Sequence, residues 1–300
     1  MVNKNTMNKF SLKTHMKHNR FEGWYVRVLD PVQSINLAFI FAYTGFKDDP
    51  HAFIQVFDGI KHTNTYHRFE LDAFDASGDM VAIGNNILSE DALTIRLKEM
   101  TLDVTFDYKV HVKKKSAMGF LAKLPLECYQ EILIMTSEVH GNLSYLGASK
   151  SIDGSSYMEK TYGRNFPKRW FWLEANQFDD EVSLSLSGGS VPTLFFKPFG
   201  FTMIIHLKGE ELAFGTYNRA KITRKEHNGI VRFVVTKKPY VITINASLGT
   251  PTVLKGPSKY GEMRLDVLES LDASVSLTIK KADNLLYHGN SLYSGFEWMV

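Results

Sequence analysis

One cysteine, Cys128, in 300 residues excludes an internal disulfide and any multi-cysteine zinc site, and a reducing compartment suits such a chain. No apolar run approaches the roughly 18 residues of a membrane helix. The opening MVNKNTMNKFSLKTHMKHNR lacks the apolar core of a secretion signal, so a cytoplasmic location is expected. Charge of one sign is scarce too: 35 Lys and Arg against 32 Asp and Glu give +3, scattered along the chain, and nucleic acid is not the expected partner. The ten histidines show no HxH or HExxH spacing, and His62 and His67 would face opposite sides of a strand, so no metal site is expected. There is no phosphate-cradling glycine loop, no GxSxG and no CxxC. No segment sustains an amphipathic helical period. Leu124 to Met135 comes nearest, and Pro125 and its β-branched content count against it.

What is present is a period of two. Thr101 to Val112, TLDVTFDYKVHV, places Leu102, Val104, Phe106, Tyr108, Val110 and Val112 on one face and polar groups on the other. Similar alternation occurs in Leu93–Leu97, Val182–Leu186, Val241–Ala246 and Val275–Ile279. Between strands lie turn residues: Ser77-Gly78-Asp79, Lys208-Gly209-Glu210, Asn228-Gly229. Many short strands closely spaced predict an all-β chain of antiparallel barrels or sandwiches with little helix. The small polar stretch GASKSIDGSS from Gly147 to Ser156 reads as a connector. It divides the chain into an N-terminal β-domain, 20–150, and a C-terminal one, 151–300, each opening on an aromatic strand (FEGWYVRVL, RWFWLEANQF), which hints at duplication. Residues 1–19 are expected to be a flexible basic arm. A disordered terminus is the simple reading, and peripheral contact with anionic lipid headgroups the functional one.

The candidate site lies where acids sit among aromatic rings, a setting a core avoids unless the acid is hydrogen-bonded or protonated. FEGWY puts Glu22 between Phe21 and Trp24-Tyr25. MEKTYGRNFPKRWFWLEANQF puts Glu159 close to Tyr157, Tyr162, Phe166, Trp170 and Trp172. Alternation gives Glu22 the same face as Trp24 and the opposite face from Phe21, Gly23 and Tyr25. Each acid also has a structural reading, Glu22 as a buried salt bridge to Arg164 or Lys160 and Glu159 as an ion pair with Arg164 or Lys168. Gly163 is expected to meet a backbone need, a positive φ or a close approach. Most of Phe39, Phe41, Phe195, Phe196, Phe199 and Phe201 should be core, while TLFFKPFGFT, Thr193 to Thr202, could form a pocket mouth or a lipid-contacting hairpin. Cys128 reads as a small core residue.

FEGWY, PLECYQ (Pro125 to Gln130) with HGNL after it, the EKxxGxxFPxxWxW pattern on Glu159, Lys160, Gly163, Phe166, Pro167, Trp170 and Trp172, YGEMRLDVLES and the terminal GFEWM together resemble the tocopherol cyclase-like family, from about Phe21 to Met299. The resemblance implies two lipocalin-like β-domains in tandem, related in fold to carotenoid hydratases. It also implies an activity, closure of a prenylated quinol to a chromanol. Gln130 stands where the family's ECxH motif has His, and no plastid transit segment is visible.

Such a ring closure starts when an acid protonates a trisubstituted alkene and ends when the phenol oxygen captures the cation. It requires a neutral carboxylic acid, rings that stabilise positive charge, and a dry pocket, with no redox cofactor or metal. On this reading Glu159 or Glu22 is the acid, Trp24, Tyr25, Trp170 and Trp172 surround the substrate, Lys160 or Arg164 polarises an oxygen, and Asn176 completes the set. If water captures the cation the protein is a hydratase. If nothing is protonated it is a lipocalin-like carrier of an apolar ligand, and if side chains fill the pocket it is a structural module.

Overall fold

The computed structural model describes residues 9–76, 78–113, 118–190 and 198–300. Two antiparallel sheets account for about two thirds of them. The first joins β1 (Phe21–Asp30), β2 (Ile35–Thr44), β3 (His51–Asp58), β4 (Thr63–Phe69), β5 (Phe74–Asp75), β6 (Met80–Ile83), β7 (Asn86–Ser89), β8 (Ala92–Leu97), β9 (Met100–Val110), β10 (Cys128–Tyr145) and β11 (Ala148–Gly163). The second joins β12 (Trp170–Ala175), β13 (Val182–Ser190), β14 (Phe199–Leu207), β15 (Glu210–Gly215), β16 (Lys221–His227), β17 (Ile230–Lys237), β18 (Tyr240–Ser247), β19 (Thr252–Pro257), β20 (Met263–Lys281) and β21 (Asn284–Met299).

Both sheets are wound alike. The first runs β4-β3-β2-β1-β11-β10-β9 and on to β5, and the second β15-β14-β13-β12-β21-β20-β18-β17-β16, with β19 on the edge of β20. In each, the last long strand returns beside the first, β11 against β1 and β21 against β12, so the topology repeats between halves. The sheets curl around their own apolar faces and make two lipocalin-like units. Hairpins use the expected turn chemistry: Lys208-Gly209 and Asn228-Gly229 both have positive φ at the two central positions, the form that matches strand twist.

Two expectations need correction. The stretch from Gly147 is not a connector, because Ala148–Gly163 forms β11, paired on both sides within the first sheet; the division between sheets falls at 164–169. Residues 9–19 are not a flexible arm. Phe10 is buried and stacks on Trp24, and Thr14 is buried beneath Tyr43. The basic stretch 1–8 lies outside the described residues, as do residues 193–197 of the apolar run that begins at Thr193, Phe195 and Phe196 among them. Alternation in β9 holds for Leu102, Val104 and Phe106, all buried, and breaks at Tyr108, exposed with a positive φ where β9 and β10 slip register. Gly163 serves the close approach expected of it: a Cβ there would stand 2.1 Å from the Glu127 carbonyl oxygen. Among the described residues no helix is long and apolar enough to cross a membrane.

Each sheet has its own core, and a third apolar cluster joins them, with Tyr25, Phe57, Met135 and Tyr157 from the first sheet against Trp170, Trp172, Ile204 and Leu271 from the second. Polar bonds reinforce the seam. Arg27 on β1 reaches across to the Glu174 carboxylate and to the carbonyls of Leu271 and Tyr293, while Asn36 Nδ2 donates to Leu271 O at 2.8 Å. The inner face of β1, the one it shares with Trp24, carries a second buried pair, Lys160 Nζ to Glu22 Oε1 at 2.6 Å. Glu22 also accepts from the amides of Lys13 and Thr14 and the Thr14 hydroxyl, and so holds residues 9–19 in place.

Removing one member of a buried pair leaves an uncompensated charge, a loss of about 3–5 kcal/mol. Lys160→Met is therefore expected to destabilise the protein by that amount in urea titration, and the Glu22→Gln/Lys160→Met double variant to recover most of it. A single variant as stable as wild type contradicts the structural role of this pair.

Candidate functional site

Between the two sheets lies a cavity of about 250 Å³. Strand parity decides what enters it. On β1 the odd residues Phe21, Gly23 and Tyr25 face the cavity, and their register partners on β2 include Ala42 and Ile40, which line it too. Gly23 has no room for a side chain, since a Cβ would meet that of Ala42 at 2.9 Å. On β11 the cavity face carries Glu159 and Thr161, and on β12 Trp170 and Trp172. Phe166, Pro167, Cys128, Gln130, Ser187, Leu254, Glu269 and Glu297 complete the wall.

Glu159 is the best-defined acid. It is 6% exposed, and its Oε2 accepts from Tyr157 Oη at 2.6 Å, Gln130 Nε2 at 2.7 Å and Trp172 Nε1 at 2.8 Å. Loss of hydration disfavours the charged form and raises its pKa to about 7, against the opposing pull of the three donors and with a small push from the charge of Glu174. No Lys or Arg bonds to it among the described residues, so the ion pair with Arg164 or Lys168 does not form. The carboxyl stands beside three rings: Tyr25 packs edge-on to Trp172 at 5.3 Å and to Tyr157 at 6.4 Å. Burial raises the pKa of both tyrosines, which stay phenolic and donate.

Of the expected site residues, the structure brings together Glu159, Tyr25, Trp170 and Trp172. Glu22, Trp24 and Lys160 share the opposite face of the sheet: the Lys160 ammonium sits 4.4 Å from the Trp24 ring centroid and is bound to Glu22. Glu22 is thus the salt bridge and not the acid of the cavity, and Trp24 cannot stabilise a cation there. Burial lowers the Lys160 pKa and Glu22 partly restores it. Arg164 is exposed at the end of β11, and Asn176 donates to Ser156 O at 3.1 Å; neither lines the cavity.

Three cavity groups were not among the expected site residues. Gln130 bridges Glu159 and the Ser187 hydroxyl. Glu269 on β20 and Glu297 on β21 are register partners; Tyr25 Oη donates to Glu269 at 3.0 Å and Trp170 Nε1 donates to Glu297. GFEWM offers the same signal as FEGWY, an acid between rings, and would have exposed Glu297. Glu269, in DVLES, has no such mark. Cys128 lines the cavity rather than a core, and burial with nearby carboxylates raises its thiol pKa, which leaves it a poor nucleophile.

The chain matches the family model described as tocopherol cyclase-like over residues 101–297. A probable chloroplastic tocopherol cyclase of Oryza sativa subsp. japonica is 26% identical over 182 residues, 52% of this chain and 38% of that protein, so the chain spans well under half of the relative's length. Among solved structures, CghA with Sch210972 superposes with a TM-score of 0.63 at 10% identity, covering 93% of this chain and 88% of the other. Kievitone hydratase from Nectria haematococca superposes with a TM-score of 0.52 at 13% identity over the same shares. At those identities the likeness is one of fold.

A carboxyl whose folded pKa is about 7 against an ordinary 4.5 keeps its proton while the unfolded chain loses it. Its contribution to stability is therefore full below 4.5 and is lost as pH rises to 7. Between those limits, stability measured by urea titration is expected to fall with pH more steeply in wild type than in Glu159→Gln, by about 1.4 kcal/mol per pH unit. Parallel profiles contradict the assignment of a raised pKa to this residue.

Proposed function

The chain belongs to the tocopherol cyclase-like family, and from that premise we propose that its inter-sheet cavity carries out acid-catalysed addition to an alkene, with closure of a prenylated quinol as the leading reaction. The observation that supports this reading is Glu159, a carboxyl poised near neutrality, held by three uncharged donors and walled by Tyr25, Tyr157 and Trp172. Half of such groups carry a proton at pH 7, where an ordinary glutamic acid has almost none.

Protonation of the alkene converts Glu159 to a carboxylate, now anionic beneath a tertiary cation in an apolar space. The electron-rich faces of Tyr25 and Trp172 share that charge. Tyr157, Gln130 and Trp172 donate to the oxygen on which negative charge develops, so the donors that oppose protonation at rest favour proton transfer in the transition state. The mostly apolar wall excludes water from the cation long enough for an intramolecular oxygen to reach it. Entry of one water instead gives a tertiary alcohol, the hydratase variant of the same step. A carrier that only holds its ligand has no use for a protonated acid.

At about 30 Å³ for each water-sized unit, a cavity of about 250 Å³ holds about eight such units, on the order of an aromatic ring with the adjoining alkene carbons, and the rest of the tail extends out of it. The expected outcome with 2-geranylhydroquinone is chromanol formation that falls at least a hundredfold in Glu159→Gln with ligand affinity retained, followed by mass spectrometry and calorimetry. Chromanol or alcohol at the wild-type rate from that variant rules out Glu159 as the acid, and a wild type that binds but never converts leaves the carrier reading.

A further inference from the structure

An acid that protonates an alkene accounts for only half of a cyclisation, because the phenol must also lose a proton. The cavity holds a second acidic feature that the alkene step does not use. Glu269 and Glu297 stand directly opposite one another on β20 and β21, both line the cavity, and their carboxyls are in hydrogen-bonding contact. Two carboxylates so placed cannot both be charged without strong repulsion, so the pair retains one proton and presents a single negative charge.

The surroundings are arranged for that. Glu269 is 2% exposed, and Glu297, though partly exposed, is exposed on the cavity wall. From β1, Tyr25 donates to Glu269 and the more distant Arg27 charge opposes its protonation. From β12, Trp170 donates to Glu297, and from β11 the charge of Glu159 bears on both. Arg27 is itself engaged by Glu174 and two carbonyls. No cation bonds to the pair among the described residues. Burial is the largest cause of the raised pKa of each member, followed for Glu269 by the Glu297 charge, with Glu297 near 7.

We propose that Glu269 and Glu297, sharing one proton, form the seat for a hydroxyl group of the substrate and accept the phenolic proton as the new ring closes. The ligand class is thereby narrowed to an apolar alkene that carries a free phenolic hydroxyl. This rests on the alkene-protonation reading for its second half. The balance is complete: the Glu159 proton forms a C–H bond at the alkene, the phenol oxygen forms a C–O bond to the resulting cation, its O–H bond breaks, and that proton joins the pair. Return of one proton from the pair to Glu159 resets the site, so the net change is an isomerisation.

The test is binding, independent of turnover. Calorimetry with 2-geranylhydroquinone and with its dimethyl ether, which has no hydroxyl to donate, should show wild type preferring the quinol by roughly tenfold or more, the difference between a charge-assisted and a missing hydrogen bond. Glu159→Gln should keep that preference, whereas Glu297→Gln and Glu269→Gln should each lose most of it, with folding checked by circular dichroism. If the second of these fails to fold, Glu297→Gln alone carries the test. A preference that survives in the folded pair variants, or one absent from wild type, overturns the proposal. Normal cyclisation by Glu159→Gln would instead remove the acid assignment and leave the hydroxyl seat standing.

Discussion

Taking a carboxylate out of water costs several kcal/mol unless a cation or enough donors replace the lost hydration. That constraint organises the centre of this molecule. Five glutamates are buried or half-buried around β1, β12 and the cavity, and the protein treats them in two ways. Glu22 and Glu174 each receive a cation, Lys160 and Arg27. Glu159 and the Glu269–Glu297 pair receive only hydroxyl, indole and amide donors or one another. The first kind holds the chain together: one fastens residues 9–19 to the first sheet and the other crosses the seam. In the second kind burial raises the pKa.

The fold itself explains why the acids without a counter-ion gather in one place. Each unit closes its sheet around its own apolar core, which leaves the outer faces of β1, β11, β12 and β21 to meet each other. Where side chains from both sheets interdigitate, the third cluster forms; where small residues such as Gly23 and Ala42 stand, room remains. A repeated topology thus produces a cavity at the junction of two units, and neither unit encloses it alone.

Much of this was legible in the sequence, and the limits of that legibility were physical. Alternation correctly put Glu22 with Trp24 and against Tyr25. What it cannot supply is which of two equally apolar faces meets the hollow, because β1 is buried on both sides. The connector at Gly147 to Ser156 was misread for a related reason. Small polar residues suit a linker, but they also suit a long strand that runs close against its neighbour: Ser155 and Ser156 pair with Leu29 and Val28 of β1, and a Cβ at Gly154 would stand 2.0 Å from the Leu29 carbonyl oxygen. Glu269 carries no mark of its own in DVLES; Glu297 comes to it through the pairing of β20 with β21 and Tyr25 across the seam between sheets.

The resemblance drew attention to a departure at Gln130, where the family motif has histidine, and the geometry gives that departure a meaning. Gln130 donates to the Oε2 atom of Glu159. An imidazolium at that point would stabilise the carboxylate and draw its pKa down, whereas a carboxamide donates without adding charge. The lysine nearest in sequence poses the same hazard and is removed by strand parity: Lys160 follows Glu159 directly, yet the pleat sends it to the far side, where Glu22 engages it. Neighbours in the chain become opposites in space. Glu159 is left in an aromatic enclosure with donors but no counter-ion, and that shortage of positive charge allows a glutamic acid to hold a proton at neutral pH.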